Sequence, residues 1–179
     1  MLVSVVGALI TDNLVDNLQV SLVTTTALFS IALAAFFALW YFSEKTLSIH
    51  SIYSAKRKSF YWAAILFTFA LGTAAGDLVA EHFGLGYAVS AMIFASIIAV
   101  ITLAYYRVKS NAVLAFWIVY ILTRPFGTSI GDLLSQPVAA GGLGSGTVCT
   151  SGAFLVAIVL LIAYLTFQQK KLALPAITQ

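Results

Sequence analysis

Gly72-Thr73-Ala74-Ala75-Gly76-Asp77-Leu78 decides how this chain reads, because it returns as Gly127-Thr128-Ser129-Ile130-Gly131-Asp132-Leu133. A weaker copy stands near the start, Gly7-Ala8-Leu9-Ile10-Thr11-Asp12-Asn13. Each places a glycine five residues before an aspartate, inside or at the end of an apolar run. Outward from the motif the correspondence continues. Tyr61-Trp62 aligns with Phe116-Trp117, Thr68 with Thr123, and Gly84-Leu85-Gly86 with Gly142-Leu143-Gly144 after a three-residue insertion. Agreement at so many spaced positions marks internal repeats.

The composition says where such repeats live. Of 179 residues 61% are hydrophobic and 8% charged, too few charges to cover a water-facing surface. Apolar runs reach the roughly 20 residues that a membrane-spanning helix needs. Spans are expected over Ser21–Phe42, Phe60 to about Phe83, Tyr87–Tyr106, Asn111 to about Ser135 and Thr147–Phe167, with 1–14 too short to span alone. Ser43–Ser59 reads as a polar loop, Gly84-Leu85-Gly86 as a tight turn and Gln136–Ser145 as a glycine-rich loop. The fold class is therefore all-α, a polytopic transmembrane bundle of parallel-oriented hairpin repeats covering 1–58 (partial), 59–109 and 110–171. The partial copy is either a half-helix or the start of a chain that begins inside a longer array; the second is favoured.

Basic residues follow the second helix of every hairpin: Lys45 with Lys56, Arg57 and Lys58, then Arg107 with Lys109, then Lys170 with Lys171. The positive-inside rule puts those loops and the C-terminus in the cytoplasm. Short basic loops describe topology and exclude a nucleic-acid surface. Cys149 alone builds no disulfide or cysteine metal site within one chain and reads as a small packing residue. Trp40, Tyr41, Tyr61, Trp62, Tyr105 and Tyr106 read as an interfacial aromatic belt.

The candidate site follows from where the acids fall. Of the six acidic residues all but Glu44 belong to the motif or lie four residues beyond its aspartate: Asp12 with Asp16, Asp77 with Glu81, and Asp132, with Gln136 in the last slot. Residues four apart share a helix face, and Ala8, Thr73 and Thr128 stand one turn earlier on it. Carboxylates are disfavoured at a helix C-terminus and costly in lipid, so they need protons, a cation, an arginine or water. Asp12, Asp77, Asp132, Asp16, Glu81, Thr73 and Thr128 form a candidate oxygen-only site suited to a hard cation or a proton. The competing reading is structural. Asp77 lies about 27 Å along a helix that starts at Ser59, near the edge of an apolar core about 30 Å thick, where it would fasten neighbouring repeats.

Gly7, Gly72, Gly76, Gly127 and Gly131 are expected to let helices approach closely. Arg124, the one basic residue outside the loops and tail, is expected to form an internal ion pair with Asp77 or Asp12, and Pro125 beside it to kink its helix. His82 beside Glu81, and His50, read as surface residues. No constellation supports an enzyme, and no cofactor is implied.

Phe67-Thr68-Phe69-Ala70-Leu71-Gly72-Thr73-Ala74-Ala75-Gly76-Asp77, Tyr120-Ile121-Leu122-Thr123-Arg124-Pro125-Phe126-Gly127 and Thr46-Leu47-Ser48-Ile49-His50-Ser51 together resemble a bacterial family of uncharacterised membrane-anchored proteins built from a short repeat of unknown function. The resemblance covers nearly the whole chain. It implies a multi-pass protein of the bacterial inner membrane and carries no activity with it. Two functions remain open. One is a transporter or channel for small cations or protons. The other is a non-transporting scaffold whose partners are the bilayer and, in a homo-oligomer or a larger array, further repeats.

Overall fold

A computed structural model describes residues 2–47, 54–108 and 111–173, and among these the regular structure is helical throughout. Helix α1 spans Leu2–Asp12, α2 Leu22–Glu44, α3 Ala55–Asp77, α4 Tyr87–Val108, α5 Ala112–Ser135 and α6 Thr147–Ala173. Five stretches are long and apolar enough to cross a membrane: Leu22–Glu44, Ala55–His82, Tyr87–Arg107, Ala112–Ser135 and Thr147–Gln168. The chain packs as two units, Met1–Ile130 and Gly131–Gln179, and α5 crosses from one to the other.

The loop before α3 is shorter than the polar composition suggested. Ser54 caps the helix by accepting a hydrogen bond from the Arg57 N–H, so Lys56-Arg57-Lys58 form its first turn. Cations are disfavoured there by the helix dipole. Glu44, at the end of α2, compensates with Arg57 Nε at 2.6 Å and Lys56 Nζ at 3.5 Å. Residues 48–53, His50 among them, lie outside the described residues.

Within the first unit, α1, α3 and α5 meet through their small residues in one repeated register. A Cβ placed on Gly7 would lie 2.8 Å from both Leu66 O and Phe69 Cβ on α3. A Cβ on Gly72 would overlap the Cβ of Arg124, and one on Gly76 would stand 3.1 Å from Thr128 Cγ2. Phe69 and Arg124 each stand three residues before their own motif glycine, so copy one meets copy two as copy two meets copy three. The next position agrees. Thr11 donates to Ala70 O at 2.8 Å, and Gly76 lies against Pro125 O, with Ala70 and Pro125 at matching positions. Because partner numbers rise together, from Gly72–Arg124 to Gly76–Thr128, these helices run parallel, as the hairpin reading requires.

The first return helix, α2, runs the other way. On α2, Phe29 packs with Ala70 and Ala74, while Phe36 and Trp40 lie against Phe60; numbers that fall as the others rise make α2 antiparallel to α3. Trp40 is 1% exposed and packs with Ala64 and Trp117, which corrects its reading as a belt residue: alanine at 64 leaves a ring-sized gap that an indole fills. Trp62 is 52% exposed although Trp117, its match in the next copy, is buried. Ser90 on α4 shares a buried 2.9 Å hydrogen bond with Ser129 on α5.

The second unit holds the end of α5, a short 3₁₀ turn at Val138–Ala140, a glycine-rich loop and α6. Leu143 N–H and Ser145 N–H close back on Leu133 O and Leu134 O. A Cβ on Gly142 would collide with Gln136 O, so this loop needs its glycine. Cys149 on α6 is exposed, not packed; the apolar run around it is likewise exposed from Ser151 to Gln168.

The register makes a sharp prediction. Gly72→Ala should cost about 1–3 kcal/mol through overpacking, whereas Gly127→Ala, where an added Cβ meets open space, should move stability by no more than about 0.5 kcal/mol. Thermal unfolding of both variants in detergent checks this; equal losses would refute the register.

Candidate functional site at the motif ends

In copies one and two the backbone changes pitch immediately after the aspartate. A π-helical turn runs over Asn13–Asn17 after Asp12, and another over Leu78–His82 after Asp77. Each is closed by an i→i+5 bond, Leu18 N–H to Asn13 O at 3.1 Å and Phe83 N–H to Leu78 O at 3.0 Å. A left-handed residue follows at the matching position in both, Gln19 with φ 55° and Gly84 with φ 64°. In copy three α5 stays regular to Ser135 beyond Asp132. Such π turns are rare and recur at functional sites. No residue pattern announces them, since a π turn needs no special residue, and the same Gly-x4-Asp spacing is followed by regular helix in copy three.

The acids have different surroundings. Asp12 is partly buried, Asp16 exposed, Asp77 partly buried and Glu81 exposed. Asp12 lies outside the five membrane-capable stretches, and burial, with Asp16 nearby, raises its carboxyl above the ordinary range. Glu81 accepts a 2.8 Å hydrogen bond from the Tyr87 hydroxyl, tying the π turn to the start of α4. Thr73 turns its hydroxyl back to Phe69 O in its own helix, and Thr128 lies against Gly76. Asp132, in the second unit, is partly buried. His82 is exposed, as expected, with its ring against Phe83. Among the described residues no three histidine, cysteine or acidic side chains gather where they could hold a metal ion.

Two expectations need correction. Arg124 makes no ion pair among the described residues. Its guanidinium lies over the rings of Phe69 at 4.0 Å and Tyr120 at 4.3 Å, and its buried Nε has no hydrogen-bond partner. The close approach at Gly72 sets the arginine stem on α3, and the nearest surface its head then meets is aromatic. A Cβ added at Gly127 or Gly131 meets nothing within 4 Å among the described residues. Gly72 and Gly76, their matches, are buried where α5 faces them.

Antiparallel hairpins whose motif helices run parallel and touch through glycines, in a chain with five membrane-capable helices, define a multi-pass helical membrane protein built by internal repetition. A family model described as Repeat of Unknown Function (DUF347) matches residues 1–46, 60–111 and 115–171, and the chain belongs to that family. No curated protein and no solved structure matches the chain.

Arg124→Met tests the aromatic setting of the arginine. With cation–π contacts alone at stake the cost should stay near 1–2 kcal/mol. A loss of about 3–5 kcal/mol in chemical unfolding would instead reveal a buried carboxylate stranded without its partner.

Proposed function

We propose that the protein conducts protons or a small monovalent cation across a bacterial inner membrane, using the carboxylates at the motif ends. The observation that carries this reading is the π turn directly after Asp12 and after Asp77. A π turn widens the backbone ladder and loosens its carbonyl groups, and here it follows one carboxylate directly and carries another, Asp16 or Glu81, within it. Ionisable groups at such positions are costly in or near lipid and mark proton and ion pathways. With no three-acid cluster among the described residues, the reading rests on single carboxylates, which suit a transferred proton or a weakly held cation better than a caged divalent ion.

The orientation proposed with it follows the charges. The end of α2 and the start of α3 share Glu44, Lys56 and Arg57, and the basic residues there face the cytoplasm by the positive-inside rule; Lys170 and Lys171 place the C-terminus on that side. The protein acts without enzymatic chemistry in this reading.

A second reading has its own observation. The register at Gly7, Gly72 and Gly76, with Thr11 bonded to Ala70 O, suits a scaffold in which the motifs hold helices together. Asp12→Asn and Asp77→Asn separate the two. Retained yield in detergent with proton or cation flux reduced to the liposome background supports conduction. Flux absent from the parent, or carboxamide variants that fail to fold, refutes conduction and leaves the scaffold.

A further inference from the structure

At the end of the first unit where α2 finishes and α5 begins, a cleft of about 500 Å³ opens between the two helices. Its walls are apolar. Phe37 comes from α2, and Leu114, Trp117, Ile118 and Ile121 form a stripe along α5 at the three- and four-residue spacing of one helix face. Leu114 and Ile118 are exposed, so the stripe faces the surroundings of the bundle, which in a membrane are acyl chains. At the mouth stands Lys45.

Three features give that mouth a positive character. Lys45 ends α2 in a left-handed conformation, φ 55°, with its N–H bonded to Tyr41 O, so its backbone is fixed. Glu44, the carboxylate beside it, is taken by Lys56 and Arg57, and among the described residues the Lys45 ammonium meets the ring of Phe42, 5.7 Å away, and no carboxylate. Across the cleft α5 starts at a neutral cap. Asn111 Oδ1 accepts from Val113 N–H and Leu114 N–H, and the first turn holds no acid, so the positive end of the helix dipole is uncompensated. The Trp117 Nε1–H donates to Leu47 O at 2.9 Å, which pins the chain leaving Lys45 against the cleft wall.

We infer that this cleft binds an anionic phospholipid, its phosphate held between Lys45 and the start of α5 and one acyl chain laid along Leu114, Ile118 and Ile121. A cation at the mouth of an apolar groove between membrane helices matches a molecule with an anion at one end and a hydrocarbon chain behind it. A zwitterionic lipid brings a cation of its own to the same place and gains less. The site is independent of the conduction reading, since none of the motif carboxylates takes part.

Trp117 supplies the readout. The full chain carrying Trp62→Phe, which removes the exposed indole, is titrated in mixed micelles with phosphatidylglycerol or phosphatidylcholine brominated on the acyl chain, and tryptophan quenching is followed. A lysine near anionic headgroups is worth roughly a fivefold preference. Half-quenching is therefore expected at about one-fifth the mole fraction of phosphatidylglycerol as of phosphatidylcholine, with the preference shrinking in added salt. Lys45→Gln should remove the preference and Lys45→Arg should keep it. Equal quenching by both lipids in the parent overturns the assignment. So does a preference that survives Lys45→Gln, which would place the anion on other basic residues, or one lost in Lys45→Arg as well. Abolition of the preference by inorganic phosphate would show an anion site with no need of lipid, and overturns it equally.

Discussion

Everything in the first unit depends on two backbones coming close enough at Gly72 that no side chain fits between them. That approach sets Arg124 against α3 and brings Thr128 onto Gly76. In lipid there is no hydrophobic drive to bring helices together, so short-range packing and hydrogen bonds must do it. Small residues at Gly7, Gly72 and Gly76 supply the first, and Thr11 supplies the second through Ala70 O. The aromatic filling around Trp40, Phe60 and Trp117 works at the other end of the same helices. One end of the unit is thus closed by glycine and the other by rings.

The motif ends acquire their character from this arrangement. A helix held tightly up to its glycine pair has its freedom beyond it, and there, after Asp12 and Asp77, the pitch loosens into a π turn. The acids stand at and within these turns, and in copy two Glu81 ties its turn to α4 through the Tyr87 hydroxyl. The basic end behaves differently: Glu44 gathers Lys56 and Arg57, while Lys45 stays turned to an apolar cleft.

Much of this was legible from residues. Apolar run lengths gave the spans, the basic loops after each return helix gave parallel motif helices, and the spacing of Gly72 and Gly76 gave a packed helix face, because each of these depends on sequence order alone. What was not legible depended on which neighbour a face meets. Arg124 reads as an ion-pair partner because it alone among the basic residues falls outside the expected loops and tail, among helices that carry Asp77 and Asp12, yet its position opposite Gly72 points it at Phe69 and Tyr120. Trp40 resembles any tryptophan at a helix end until Ala64 and Trp117 surround it. The π turns leave no mark on composition, since Gln19 fills the left-handed place that Gly84 fills elsewhere.

Three like units in a row are alike in sequence but not in situation. Among the described residues the middle copy meets a motif helix on either side, and α3 is buried over more of its length than any other membrane-capable helix, 44% against 6% for α6. An added Cβ is blocked at Gly7, Gly72 and Gly76 and meets open space at Gly127 among the described residues, so positions that match in sequence differ in what they tolerate. Arg124-Pro125 stands where the other copies have Phe69-Ala70 and Ser4-Val5, and it does so against Gly72 and Gly76, so the copies differ even where a neighbouring helix is in close contact.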